Sequence, residues 1–435
     1  MRTVDCCPVT PNPWGAMPDP VRRVLQIFLA LAAQLACAAG TGWSSLQVGQ
    51  QAVAEAAAAS GHAREAYFPG PGDDWERRRP VEVGMDSAAV TAAVDFAIAN
   101  ESPFGHDLRA YLKGRLLTTG PYGEIVGPMK DRGDPNGLIL RGGYIVAEWG
   151  DTDRVDMTFS ITKSYLSTTG GLAWDARLIR DLEDPVSDYL RRGEGRELFA
   201  SAHNASITWQ HLFTQTSEWE GTLWEKPDAA DRRRGPDREL EEPGSFWEYN
   251  DVRVNLAAYA LLRVHGRGLP EVLRDRVMDP IGASDSWAWH GYRTSWVSVG
   301  GRRVQSVSGG GHWGGGMWIN SRDQARFGYL FLRRGRWDEE QILSEEWVRL
   351  ATRPSEVEPT YGYMWWLNAD HLMWEDLPDT SFAALGAGTN AIWIDPEDDL
   401  VVVVRWIDRA RLGDFLTLVK AAVEKPVGPA AREER

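Results

Sequence analysis

Two strand-pair patterns stand far apart in the chain, and together they restrict what it can fold into. Residues 137–151 read as a β-hairpin turning on Arg141-Gly142-Gly143. Residues 391–394 and 400–406 are apolar runs on either side of Asp395-Pro396-Glu397-Asp398-Asp399, a second hairpin signal. The apolar spacing between them is mainly helical, after Ser160 and over 207–213 (Thr208 as cap), 251–264, 270–278 and 322–333. Further helices are predicted at 87–100, capped by Asp86 or Ser87, and at 413–423. The fold class is therefore α/β (α+β): an antiparallel sheet built from both ends of the chain, flanked by helices, with a mainly helical subdomain at about 175–330 inserted.

A chain of 435 residues can bury a substantial core, and its net charge of −15 argues against nucleic acid or an anionic membrane surface as partner. All three cysteines, Cys6, Cys7 and Cys37, precede the folded part, so no disulfide or thiolate metal site holds it together. The eight histidines lack ligand spacing, and neither a metal nor a cofactor is expected. Arg22-Arg23 followed by the apolar run 24–39 reads as an export signal, with residues 1–16 an upstream mis-start before Met17. The run is too short for a spanning helix. Gln34-Leu35-Ala36-Cys37 adds a lipid-anchor alternative at Cys37, although Gln34 stands where such a motif usually has Leu. The expected location is thus exported, periplasmic or secreted. Residues 40–80 read as a flexible tether with one short helix at 50–60, and 426–435 as a tail.

Three stretches carry chemistry. Ser160 and Lys163 sit three apart at a helix start, so hydroxyl and ammonium share one face, as a lysine-activated serine nucleophile requires. The plainer alternative makes Ser160 a cap and Lys163 an exposed first-turn residue. Pro243-Gly244-Ser245-Phe246-Trp247-Glu248-Tyr249-Asn250-Asp251 places a tyrosine on a turn before a helix, where it either faces a cleft or packs near Trp247. Ala384-Leu385-Gly386-Ala387-Gly388-Thr389-Asn390 leads into the last hairpin, and its small residues let backbone approach a ligand. His312-Trp313 lies in a glycine-rich loop, with His312 either a substrate contact or a solvent residue. Residues 309–314 satisfy G-x-G-x-x-G, but no strand–helix unit with a following acidic residue supports a dinucleotide site. Trp219, Trp313 and Trp318 are candidate cleft walls, and the mixed charges of 228–242 read as a solvated loop.

Taken in order, these stretches resemble the S-x-x-K, Y-x-N and K-T-G elements of the class C β-lactamase and penicillin-recognising serine hydrolases. The 6-aminohexanoate-oligomer hydrolase and esterase branches look nearest. The resemblance runs over about 81–423 and implies a β-lactamase/penicillin-binding-protein-like hydrolase domain at 81–425. It also implies Ser160 as nucleophile, Lys163 as its partner, Tyr249 as proton shuttle, and the Ser160 and Gly388 N–H groups as oxyanion hole. The expected substrate is a small ester or amide.

Two departures bear on this. Asp251 occupies the asparagine position, with Asn250 beside it. If Asp251 reaches Lys163, the ion pair holds the lysine charged and makes Tyr249 the better base; if Asn250 points inward instead, it does not. Leu385 takes the place of the triplet lysine, with Gly386 and Ala387 after it, which removes a charge-assisted contact to a substrate carboxylate and predicts weak β-lactamase activity. The alternative function is a non-catalytic relative that binds cell-wall fragments or a protein partner. An α/β-hydrolase is excluded because the chain has no G-x-S-x-G.

Overall fold

The computed structural model describes residues 66–113 and 120–424. The export signal, the mis-start, Cys37, the helix at 50–60 and the 426–435 tail lie outside them. The main elements are α1 (Ser87–Ala99), β1 (Asn136–Arg141), β2 (Tyr144–Trp149), α2 (Thr162–Asp175), α3 (Asp251–His265), β3 (Ala288–Val299), β4 (Arg302–Val307), β5 (Gly316–Ile319), α4 (Ser321–Leu332), β6 (Phe382–Gly386), β7 (Asn390–Asp395), β8 (Leu400–Arg405) and α5 (Leu412–Ala421).

The two hairpins seen in the sequence meet. β1 pairs antiparallel with β8, Asn136 opposite Arg405 and Arg141 opposite Leu400. The resulting antiparallel sheet runs in the order Trp366–Leu367, β6, β7, β8, β1, β2. Its strands alternate with period two. Ile139, Trp393, Val402 and Val404 face one cluster with Ala93, Phe415 and Val419 of α1 and α5. Leu138, Ile392, Val401 and Val403 face the opposite cluster with Phe327 of α4 and Tyr165 of α2. Burial on both faces explains why these strands read as continuous apolar runs. The mixed α/β fold of antiparallel sheets and helices expected from the sequence is the one observed.

Two features differ from expectation, one a boundary and one the make-up of the inserted region. The fold begins well before residue 81: Tyr67 stacks on Tyr144, and Trp75 donates its indole N–H to the Gly143 carbonyl at 2.7 Å. The Gly- and Pro-rich composition of this stretch hid the fact that its aromatic residues cover the β1–β2 turn. The inserted region is also less helical than 175–330 implied. β3, β4, β5 and the short strand Asp156–Met157 form a second antiparallel sheet, and α4 packs on β7, β8 and β1.

Arg405 joins the two sheets just upstream of Ser160. Its guanidinium is fully buried and donates to Asn390 Oδ1 (2.9 Å), the Ile319 carbonyl (2.7 Å) and the carbonyls of Asp156 (3.1 Å) and Met157 (3.2 Å). Thr158 and Thr162 then bond to the backbone of Met317, on β5. Arg405→Met keeps the length but strands several acceptors, each worth about 1–3 kcal/mol when buried unpaired. Urea unfolding should show a loss of at least about 3 kcal/mol. A loss under about 1 kcal/mol would mean the guanidinium does not hold this junction.

Candidate active site

Ser160 stands in a short 3-10 turn, Phe159–Ile161, that runs into α2. Phe159 before it has φ 52°, a left-handed conformation that costs a side-chain-bearing residue about 1–3 kcal/mol and is held by the junction around it. One helical turn on, Lys163 donates from Nζ to Ser160 Oγ at 3.0 Å. The lysine is not an exposed first-turn residue, because its side chain is only 2% exposed.

Asp251 opens α3 and forms a buried ion pair with Lys163 through Oδ1. Asn250 is turned away as the helix cap. Its Oδ1 accepts from the Val252 and Arg253 N–H groups, and its amide donates to the Asp228 carbonyl. The two sequence alternatives are thereby resolved in favour of Asp251. Burial opposes the ammonium, yet the neighbouring carboxylate outweighs it and raises the Lys163 pKa above the ordinary lysine value. Burial likewise opposes ionisation of Asp251, but Lys163, His312 and Arg233 hold it well below the usual carboxylate range. Both groups are charged.

Tyr249 lines the same cavity as Ser160, a space of about 600 Å³. The Lys163 Nζ lies 4.6 Å from its ring centroid and the Arg233 guanidinium also 4.6 Å. The ring is stacked on Trp366 at 5.6 Å, and Trp247 packs 6.0 Å away. The tyrosine therefore both packs near Trp247 and faces the cleft. Its hydroxyl makes no hydrogen bond to Ser160 or Lys163 among the described residues.

On the far side, Leu385, Gly386 and Ala387 line the cavity, whereas Gly388 does not. Gly388 turns with φ 73° against Trp406 and Phe104. A Cβ at Gly386 would overlap the Thr158 carbonyl oxygen, so the position that must be glycine is Gly386, not Ala387. A triplet with its glycine at Gly386 reads Ala384-Leu385-Gly386, one residue earlier than its spacing suggested, and Ala387 rather than Gly388 is the following residue that lines the cavity with Ser160. Its first position is apolar in either register.

His312 reaches the site: Nδ1 lies 3.2 Å from Asp251 Oδ2, and the residue lines the cavity. Trp313 does not, being fully buried beneath Lys226. Trp219 is likewise core, with its indole N–H on the Leu198 carbonyl, and Trp318 packs on His290. The aromatic walls are instead Phe159, Trp247 and Trp366. Trp366 was illegible because Trp365 beside it is core, and only strand pairing shows which of the two faces the cavity.

Residues 228–242 are a solvated loop only in part, with Arg233, Arg234, Asp237, Glu239, Glu241 and Glu242 exposed. Asp228 and Asp231 are buried, and Glu218 takes a bidentate bridge from Arg238 and another bond from Arg253. This network carries Arg233 to the cavity wall. The sequence offered no signal for it, since the partners Glu218 and Arg253 lie outside the charged stretch.

A family model described as Beta-lactamase matches residues 138–409, more than half of the chain. This chain belongs to the β-lactamase family. Among solved structures it is similar to a penicillin-binding protein homologue from Caulobacter crescentus (15% identity, TM-score 0.51, covering 77% of this chain and 97% of that one). It is also similar to a putative 6-aminohexanoate-dimer hydrolase from Bacillus anthracis (17%, 0.50, 66% and 78%). A third is a putative beta-lactamase from Bacteroides dorei (15%, 0.50, 67% and 94%). No curated protein matches. At these identities the structural likeness establishes the fold, and the family is one of serine hydrolases.

Asp231 supplies a pH test. Its carboxylate accepts the Asp251 N–H, while Oδ1 has no hydrogen-bond partner among the described residues. Burial pushes its pKa up to about 6 from 3.8. The folded state therefore holds this proton more tightly than the unfolded chain, and ionising it removes stability as pH rises from about 4 through 6. Asp231→Asn keeps an acceptor for the N–H and cannot ionise. The wild-type melting temperature minus that of the variant should fall as pH rises from 4 to 8, and a flat or rising difference would contradict the assignment.

Proposed function

We propose that this β-lactamase-family protein hydrolyses ester or amide bonds of a small substrate through an acyl-enzyme on Ser160. The observation that carries this reading is the contact of Ser160 Oγ with an ammonium, Lys163, whose charge a buried carboxylate secures, at the wall of a cavity that also holds Tyr249.

The chemistry follows from the charges. An ammonium cannot accept the serine proton, but it stabilises negative charge on Oγ and orients it. The base is then Tyr249, with the cations of Lys163 and Arg233 beside its ring to offset charge on the phenolic oxygen. Ser160 Oγ attacks the carbonyl carbon as its proton passes to the phenolate of Tyr249, which becomes the phenol. The oxyanion takes hydrogen bonds from the Ser160 and Ala387 N–H groups. Tyr249 returns the proton to the leaving alcohol or amine, leaving Ser160 acylated. Water then attacks the acyl carbon by the same route in reverse and frees Ser160.

Phe159, Trp247, Trp366 and Leu385 favour apolar groups on either side of the scissile bond. Ala384-Leu385 offers neither cation nor hydroxyl to a β-lactam carboxylate. The protein should cleave short-chain p-nitrophenyl esters or linear amide dimers and turn over nitrocefin slowly. A fluorophosphonate should label Ser160, and Ser160→Ala should lose both label and turnover. Nitrocefin rates like those of a resistance enzyme would overturn the specificity. Absence of any adduct would overturn the enzyme in favour of a binding protein.

A further inference from the structure

The glycine-rich loop 309–316 has no part in the scheme above, yet it packs directly on the ion pair. A Cβ at Gly310 would overlap both Lys163 Nζ and Asp251 Oδ1, so only glycine lets the chain pass there. Two residues on, His312 is 10% exposed in its side chain and points Nδ1 at Asp251 Oδ2. Its Nε2 is buried without a hydrogen-bond partner among the described residues. A proton on Nε2 would be a buried donor with nothing to bond, whereas a proton on Nδ1 meets an ionised carboxylate. The hydrogen-bond network thus assigns the Nδ1–H tautomer.

Every polar group of Asp251 then has a fixed partner. Oδ1 holds Lys163, Oδ2 holds His312, and the N–H is held by Asp231. We propose that His312 is a positioning residue for hydrolysis: its Nδ1–H fixes the plane of the Asp251 carboxylate, and through it the direction in which the Lys163 ammonium meets Ser160. This rests on the reading of Ser160 as nucleophile. A carboxylate held by a single ion pair can rotate about its last bond and carry the ammonium with it. The second bond stops that rotation and keeps Nζ 3.0 Å from Ser160 Oγ and 4.6 Å from the centre of the Tyr249 ring. Misplacement of the ammonium affects the chemical step far more than the apolar contacts that hold the substrate, so the loss falls on kcat.

The test is a double-mutant cycle on a p-nitrophenyl ester with His312→Leu, His312→Asn, Asp251→Asn and the double variant Asp251→Asn/His312→Leu. Fluorophosphonate labelling of Ser160 serves as a second readout that stays measurable at low turnover. His312→Leu should lower kcat about 10–100-fold with KM within about threefold, whereas His312→Asn, which can offer an N–H near the Nδ1 position, should stay within about fivefold of wild type. The double variant should be no slower than Asp251→Asn alone. Additive losses, or His312→Asn as impaired as His312→Leu at an unchanged melting temperature, would overturn the proposal. Ser160→Ala run in parallel separates the two claims. Full turnover there sinks the hydrolase reading itself, while an inactive Ser160→Ala with additive losses sinks only the role of His312.

Discussion

The buried pair of Lys163 and Asp251 is the interaction on which the rest of the site depends. Removing one partner of such a pair typically costs about 3–5 kcal/mol, because the other charge is left in a low-dielectric interior. The fold must therefore bring the two together in every folded molecule. It does so with the opening turns of two packed helices, α2 and α3, whose first residues meet at the cavity. In the proposed mechanism the same pair sets the division of labour: a lysine held charged is an electrostatic partner for Ser160, and proton transfer falls to the tyrosine beside it.

The surroundings serve that pair. Arg405 and the Thr158 and Thr162 bonds to Met317 fix the chain entering Ser160 against both sheets. The Gly386 and Gly310 backbones close in from opposite elements, one on the Thr158 carbonyl and one on the ion pair. Buried carboxylates at Asp228, Asp231, Glu218 and Glu248 are matched by Arg232, Arg233, Arg238 and Arg253. The network around the mouth of α3 is thus built of paired charges rather than apolar side chains.

Much of this was legible before the structure. The hairpin pattern at β1–β2 and the continuous apolar runs of β7 and β8 pointed to the sheet, and the S-x-x-K spacing to the Ser160–Lys163 contact, because both rest on local pattern. What could not be read depends on distant partners. Whether Asn250 or Asp251 faced inward turned on the cap geometry of α3, and the register at Gly386 on the Thr158 carbonyl more than two hundred residues away. Arg233 is exposed as its charged stretch suggested, but that it also lines the cavity was not legible, and Trp366 looked no different from Trp365. The sequence leaves His312 as either a substrate contact or a solvent residue because only the path of its glycine-rich loop decides where the ring lies.

The most direct test of the central claim is the ¹³C shift of the Lys163 Cε, assigned by loss of the resonance in Lys163→Arg and followed with pH. The account predicts a charged ammonium at neutral pH that deprotonates only above the ordinary lysine value, and a midpoint that falls in Asp251→Asn, where burial is no longer opposed. A neutral amine at pH 7 in the wild-type protein would contradict it and make the lysine, not the tyrosine, the base.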